Sequence, residues 1–480
     1  MFAGRETAMA NNISGAVSAH PVKSFFVHML TRDIELRDAI LDLLDNCVDG
    51  VQRNETAKNL KKSKPYTGYW AKIYLSKDEF KIQDNCGGIP WKFHDYAFRL
   101  GRLKKEIVKG RRTIGTYGIG MKRAIFKIGS DCTIRTHAED ASYRIHFSPT
   151  WMANESDWDV PVKEITPAKE LGTSILVRGL RDGVRQEFSS STFIEAFREA
   201  LSTHYAYIIG KGFAVHLNDE PVRPKQIRLL FAKPGDESSK MHPIAPFIWE
   251  GRHKGVDVFL AVGFTRTIPS KEEADESFED YKERYSSADA GWSVVCNDRT
   301  VLYCDKSALT GWGVSGVPQY HMQFIAISGI VVFTSEDAVL LPTTTTKRNI
   351  DAQSELYLHV RDKMIEGMKL FTSYTNAWKT KEQVSASRSE FQRTSIVDLG
   401  ELREQSPRLR MTTTRGAIEG RQYKPVLPRP KSTREEERIS FKKPTKDVRR
   451  VSKHLFETPD KKPSEVGERC FDLVLEEAKG

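Results

Sequence analysis

Asp33–Asp49 reads DIELRDAILDLLDNCVD and is the clearest helical pattern in the 480-residue chain. Leu36, Ile40, Leu43, Leu44 and Cys47 recur at i, i+4 and i+7, which sets one apolar face. At about 100° per residue, Asp38, Asp42, Asp45, Asn46 and Asp49 fall in a narrow arc on the other side. Taken alone, such a stripe is a solvated helix face. Read as a site, it poses a charge problem, because crowded carboxylates repel one another unless a cation lies between them. Magnesium takes oxygen ligands and keeps some of its water, so the Asn46 oxygen is a candidate metal ligand. A carboxylate one turn away can orient an attacking water and accept its proton.

Three further motifs follow. Asp84-Asn85-Cys86-Gly87-Gly88-Ile89-Pro90 closes an expected strand. An Asp placed there can accept a hydrogen bond from an exocyclic amine, while glycines let a flat ring approach the backbone. Gly115-Thr116-Tyr117-Gly118-Ile119-Gly120-Met121-Lys122 runs into an expected helix, Arg123–Ile128. Glycines before a helix N-terminus let backbone N–H groups surround phosphate oxygens, and Lys122 adds a point charge. No GK[ST] follows at the spacing of a Walker A loop. Gly172-Thr173 precedes the expected strand Ser174–Arg178, where the Thr173 hydroxyl can reach a purine. Each of these three is, by itself, also an ordinary turn or loop.

Strands are expected at Ala71–Leu75, Phe80–Asp84, Cys132–Thr136, Tyr143–Phe147 and Ser174–Arg178, in a mixed sheet with helices on one face. Ser190–Ile209 reads as a helix. Beyond it, Phe213–Leu217, Trp292–Cys296 and Thr300–Cys304 read as strands, with hairpin turns at Asn218-Asp219-Glu220 and Asn297-Asp298. Asp351–Trp378 reads as a helix that closes a second domain. Residues 271–283 form an acidic insertion that reads as a solvated helix or loop. The expected organisation is a flexible arm at 1–22, a first α/β domain at 23–205, a second at 206–378, and a basic, proline-containing tail at 379–480 that ends in a short helix, Val466–Ala478.

Composition narrows the class. Hydrophobic residues are 39% and charged residues 29%, a globular mixture. The longest apolar runs, such as Phe324–Phe333, are too short to span a bilayer. The first twenty residues lack a signal-peptide pattern. Six scattered cysteines with no CxxC pair argue against a zinc site or a disulfide framework, and cytoplasmic localisation is expected. The net charge is +10, and 379–480 holds 24 Lys and Arg against 17 Asp and Glu. That excess suits a solvated tail, or contact with DNA or another anionic partner.

In order and spacing, the acidic helix with Asn46, the Asp84 motif, the glycine loop and Gly172-Thr173 resemble the four nucleotide motifs of the GHKL superfamily (gyrase, heat-shock chaperone, histidine kinase, MutL) over residues 23–180. Lys23–Gly50 looks most like bacterial MORC-like and MutL-like ATPases. The resemblance implies a Bergerat-type α/β sandwich (α+β) binding ATP and Mg2+, followed by a ribosomal-S5-like transducer domain. It carries metal binding to Asn46. Nucleotide binding is carried to Asn46, Asp49, Asp84, Gly88, Ile89, Gly115, Tyr117, Gly118, Ile119, Gly120, Met121, Lys122 and Thr173. Pro342–Asp351 (PTTTTKRNID) resembles the loop that sends a lysine to the γ-phosphate, which makes Lys347 a catalytic candidate.

Two positions depart from the family pattern. The general base, a Glu in the family, falls at Asp42, one methylene shorter, so hydrolysis is expected to be slow. The first Gly of the adenine motif is Cys86, with Gly87 beside it. Arg102–Arg112 (RLKKEIVKGRR) falls where the family has a mobile lid. The expected activity is an ATPase acting as an ATP-gated switch or homodimeric clamp, with DNA as a partner (repair, chromosome handling or phage defence). The alternatives are a nucleotide-binding module with little hydrolysis and a chaperone of heat-shock type. A histidine kinase fits poorly, because no His-bearing dimerisation helix precedes the pocket.

Overall fold

The structure is a computed structural model that describes residues 22–60, 62–99, 112–115, 118–232, 244–270, 273–274, 287–344, 347–378, 384–385, 387–388, 391–392, 394–406, 409–428, 430 and 439–479. Residues 1–21 of the expected arm at 1–22, Tyr117, most of the basic run 102–112 and most of the acidic insertion lie outside these residues. The chain forms two compact units, Met1–Pro430 and Lys431–Gly480.

Within the larger unit the first layer is an eight-stranded sheet. Its strands are β1 (Trp70–Leu75), β2 (Phe80–Asp84), β3 (Gly129–His137), β4 (Ser142–Phe147), β5 (Val162–Glu164), β6 (Gly172–Leu180), β7 (Ala214–Leu217) and β8 (Glu220–Pro221). Their spatial order is β5-β4-β3-β6-β2-β1-β7-β8. All neighbours are antiparallel except β1 and β7, so the sheet is mixed, as expected. Residues of β1 alternate between half-buried and buried, the mark of a sheet covered on one face. Helices α1 (Lys23–Arg32), α2 (Leu36–Asn54), α3 (Gly120–Ile128) and α4 (Ser191–His204) supply that cover. Ile40, Leu44, Val48 and Val51 of α2 are fully buried against it.

The second sheet runs β13-β12-β14-β11-β10-β17-β16. These are β10 (Phe247–His253), β11 (Val256–Phe264), β12 (Gly291–Cys296), β13 (Arg299–Asp305), β14 (Ile327–Ser335), β16 (Thr412–Thr414) and β17 (Gly420–Tyr423). It is buried on both faces, and the side-chain alternation of β11 shows how. Val258, Leu260, Val262 and Phe264 share a cluster with Met364, Met368 and Phe371 of α5 (Glu355–Ala377). Phe259 and Ala261 share another with Leu229 and Phe231 of β9 (Arg228–Phe231), Val397 of β15 (Ser395–Asp398) and Leu402 of α6 (Leu399–Gln405). Successive side chains of a strand point to opposite faces, so an almost continuous apolar run signals a strand with two covers.

Three expectations shift. The helix expected at Asp33–Asp49 begins at Leu36 and continues to Asn54, because Asp33 instead ends α1. The first sheet reaches past the 205/206 boundary, since β7 pairs with β1 in parallel. Part of the expected tail is folded onto the larger unit: β15 pairs with β9, β17 pairs with β10, and α6 starts with a full capping box between Asp398 and Glu401. Short polar strands completing a sheet edge carry little periodicity of their own, which is why charge and proline dominate their appearance.

The smaller unit is a helical hairpin, Thr445–Phe456 and Pro463–Lys479. The second helix extends the expected Val466–Ala478 by three residues at its start and one at its end.

Candidate functional site

A cavity of about 1300 Å3 runs from α2 and the first sheet to the edge of the second sheet. Asn46, Asp49, Asp84, Gly88, Ile89, Gly115, Gly118, Ile119, Gly120, Met121, Lys122, Thr173, Asp42 and Lys347 all line it. Tyr117 is the one expected site residue outside the described part.

At one end, β2 delivers Asp84. Its Oδ1 accepts hydrogen bonds from the Cys86 N–H at 2.8 Å and the Thr173 N–H at 3.3 Å. The Thr136 hydroxyl accepts the Ile89 N–H at 2.7 Å and lies 3.3 Å from the Thr173 hydroxyl. Gly88 has φ +65, and a Cβ there would fall 2.2 Å from the His137 carbonyl oxygen. Only glycine permits both the left-handed backbone and that approach to β3. Cys86 itself is buried, and the positive φ falls on Gly87 and Gly88 beside it. Burial raises the Asp84 carboxyl above the ordinary carboxylate range. The result is a concave, backbone-braced acceptor site.

At the other end, Gly118 turns the chain with φ +69 and α3 begins at Gly120 without a side-chain cap. First-turn N–H groups with no such cap are natural donors to an anion. Asp49 accepts from the N–H groups of Ile114 at 2.6 Å and Gly115 at 2.9 Å, which pins the start of the glycine loop to α2. Lys122 is buried, and its ammonium donates to the carbonyls of Ala97 and Gly118. In this structure it braces the loop from behind. Asn46 is exposed to the cavity, and its side chain has no hydrogen bond among the described residues.

The rest of the acidic face of α2 is occupied by cations from other segments. Arg348 pairs with Asp38 and with Glu35, the latter at 3.2 Å. Asp42 accepts from Arg123 at 2.6 Å and lies 3.5 Å from the Lys347 ammonium. Asp45, 1% exposed, accepts from Lys347 at 2.8 Å and from the Tyr205 hydroxyl at 2.5 Å, with Arg299 at 3.5 Å. Burial acts to raise the Asp45 carboxyl, but Arg299 and Lys347 outweigh it and hold the group below its usual range. Burial likewise acts to lower Lys347, and Asp45 and Asp42 hold it above its ordinary value. Lys347 has φ 56, a left-handed conformation unusual for lysine, in a loop closed by a bridge between Thr343 and Ile350.

A second contact comes from the β12–β13 turn. Asn297 and Asp298 have φ 45 and 72, the pair of positive values that a two-residue hairpin favours. Asn297 donates to the Thr113 carbonyl at 2.9 Å. Asp298 accepts from Lys211 at 2.9 Å and from the Tyr66 hydroxyl at 2.6 Å. The Arg299 guanidinium lies 4.4 Å from the Tyr205 ring centroid. Arg123, Asn297, Asp298, Arg299 and Arg348 were not legible as site residues. The turn was readable, but nothing in the linear sequence says that its side chains enter the other layer.

Residues 34–176 match the family model of histidine kinase-, DNA gyrase B- and HSP90-like ATPases. The match gives this stretch a GHKL-type ATPase domain. The matched stretch spans α2, the Asp84 motif, the glycine loop and Thr173, so the GHKL region coincides with the first-sheet wall of the cavity. Domains of this superfamily bind ATP. Lys347 and the second sheet lie beyond the match. No curated protein matches the chain. Among the described residues no helix is long and apolar enough to cross a membrane.

Proposed function

We propose that the chain is a magnesium-dependent ATPase in which ATP gates the fit between the two sheet domains. The observation that carries this reading is Lys347, which reaches from the second domain onto two carboxylates of the GHKL helix. In this reading Asp84, with Gly88, Ile89 and Thr173, receives the adenine, and its carboxylate accepts from the ring's amine. Gly115, Gly118, Ile119, Gly120 and Met121 receive the phosphates through backbone N–H groups, with Lys122 and Asp49 holding the loop that presents them. The second domain acts as a transducer of the S5-like type.

Among the described residues no three His, Cys, Asp or Glu side chains are grouped to hold a metal. A magnesium ion would therefore rest on the Asn46 oxygen and take its other ligands from phosphate and water, where it would neutralise phosphate charge. Asp42 is the candidate base, and Lys347 the candidate donor to the terminal phosphate. Asp42 then has to share its carboxylate between Arg123 and a water, which favours slow turnover. The same ion pair supports the second reading, a nucleotide-binding switch with little hydrolysis. The further proposal, an ATP-dependent homodimeric clamp on DNA, rests on the basic charge of the C-terminal region and on the resemblance to MORC-like and MutL-like proteins.

The test is steady-state and single-turnover hydrolysis with ATP and magnesium for wild type, Asn46→Ala and Asp42→Asn. Asn46→Ala should lose the response to magnesium. Asp42→Asn should bind ATP as wild type does and hydrolyse it about 10²- to 10⁴-fold more slowly. Wild-type turnover in Asp42→Asn moves the base to another carboxylate; a wild type with no turnover at all selects the switch reading.

A further inference from the structure

The tip of a hairpin ordinarily faces solvent, because water satisfies the backbone groups that the turn leaves unpaired. The β12–β13 tip is buried instead: Asn297, Asp298 and Arg299 are 0%, 1% and 3% exposed. Asp298 and Arg299 pair with charges of the first-sheet layer. Asp298 meets Lys211 at 2.9 Å and Arg112 at 4.0 Å, and Arg299 meets Asp45 at 3.5 Å. Asn297 differs, because its side-chain partners are backbone groups.

The Asn297 Nδ2 donates to the Thr113 carbonyl at 2.9 Å and to the Ser335 carbonyl at 3.0 Å, while Oδ1 accepts the Ser335 N–H at 2.9 Å. Two carbonyls and one N–H require two donors and one acceptor, which an amide supplies and a carboxylate does not. Its φ of 45 is also one that Asn tolerates better than most residues. The two segments so joined both line the cavity. Thr113 opens the glycine loop, and the next two N–H groups, of Ile114 and Gly115, are those that Asp49 holds. Ser335 is the last residue of β14 and begins the stretch that leads to the Lys347 loop. The start of the glycine loop is therefore held from both domains.

We infer that Asn297 is a positioning residue that sets the glycine loop in register with the segment carrying Lys347. The inference rests on the reading of that loop as the phosphate site. A loop fixed before binding spares a ligand the cost of ordering it. That gain goes to the phosphates and not to the base, whose receptor is held by its own bonds to Asp84 and Thr136.

Two variants test it. Asn297→Gly keeps the left-handed backbone and removes the side chain. Asn297→Asp keeps the shape and the acceptor and loses the donors. Hydrogen exchange on the full chain without nucleotide should show the Ile114 and Gly115 amides exchanging at least about 10-fold faster in both variants, with β3 and β11 unchanged. Calorimetric titration should show ADP affinity reduced about 5- to 10-fold and adenosine affinity within about 2-fold of wild type. Unchanged exchange at 114–115, exchange that rises throughout the chain, or equal losses for ADP and adenosine overturns the inference. A wild type that binds neither ligand removes the ATP reading instead, and the exchange result then decides whether Asn297 holds the loop.

Discussion

The two ends of the cavity are built by different means. The Asp84 end is made within one domain and held by backbone hydrogen bonds: Cys86 and Thr173 to the carboxylate, Ile89 to Thr136. The Lys347 end is made by two domains and held by ion pairs among Asp42, Asp45, Arg123, Arg299 and Lys347. Backbone bonds within a sheet domain give a preformed, rigid receptor. Side-chain ion pairs across a domain boundary form only while the domains are docked, and they respond to any new charge placed among them. In the proposed function, recognition of a base would thus be separated in space from the contact that can couple binding to motion.

The contrast is broken most severely at Asp45. Asp45→Ala leaves the buried Arg299 guanidinium without its carboxylate, and loss of one partner of a buried pair costs about 3–5 kcal/mol. Urea denaturation should show that loss; a change below about 1 kcal/mol would mean that the ion pairs are incidental. A pH titration probes the same contact from its rim. His204 lies against the Thr300 carbonyl at 2.9 Å, and burial, then Arg299, push its pKa down to about 4. The unfolded chain takes up this proton near pH 6.5, before the folded one does. Stability from this group is therefore complete above pH 6.5, falls as pH drops toward 4, and levels below that. The total is about 3 kcal/mol. His204→Gln should flatten this part of the stability profile, and an unchanged slope would remove His204 as its source.

At the other end, Asp84→Ala should weaken ATP binding by about 1.5–3 kcal/mol, roughly 10- to 150-fold, and cost about 1–3 kcal/mol in stability, because the Cys86 and Thr173 N–H groups lose their acceptor. Calorimetric titration checks this, and unchanged affinity takes Asp84 out of the recognition site. The smallest expected effect is that of Tyr205→Phe. It removes one hydrogen bond to a carboxylate that keeps two cations, so it should cost about 1 kcal/mol or less in stability. A larger loss than Asp45→Ala would mean that Tyr205, not the cations, holds Asp45 in place.

The same division explains what the sequence could show. The Asp84 end was legible because its parts are local motifs: a strand, a Gly-Gly turn, and a Thr at the start of a strand. The periodicity of α2 was legible for the same reason, and so was its role as a wall of the site. The purpose of its acidic face was not. Asp38, Asp42 and Asp45 looked like an unpaired stripe that called for a metal, and their partners Arg348, Lys347 and Arg299 lie hundreds of residues downstream. Lys347 was reachable only through its resemblance to a known loop; Arg299, placed at the first residue of a strand after a hairpin turn, carried no signal. Burial of charge is a tertiary property, and it leaves no period in the chain.

The most direct test of the two-domain site is Lys347→Ala, measured once for ATP affinity at equilibrium and once for single-turnover hydrolysis. A lysine brought by the second domain to the reacting phosphate stabilises the transition state more than the bound ground state. The expected result is affinity close to wild type with hydrolysis reduced by about 10²-fold or more. Equal losses in binding and hydrolysis, or no loss in either, would contradict the assignment of Lys347 to the site's chemistry.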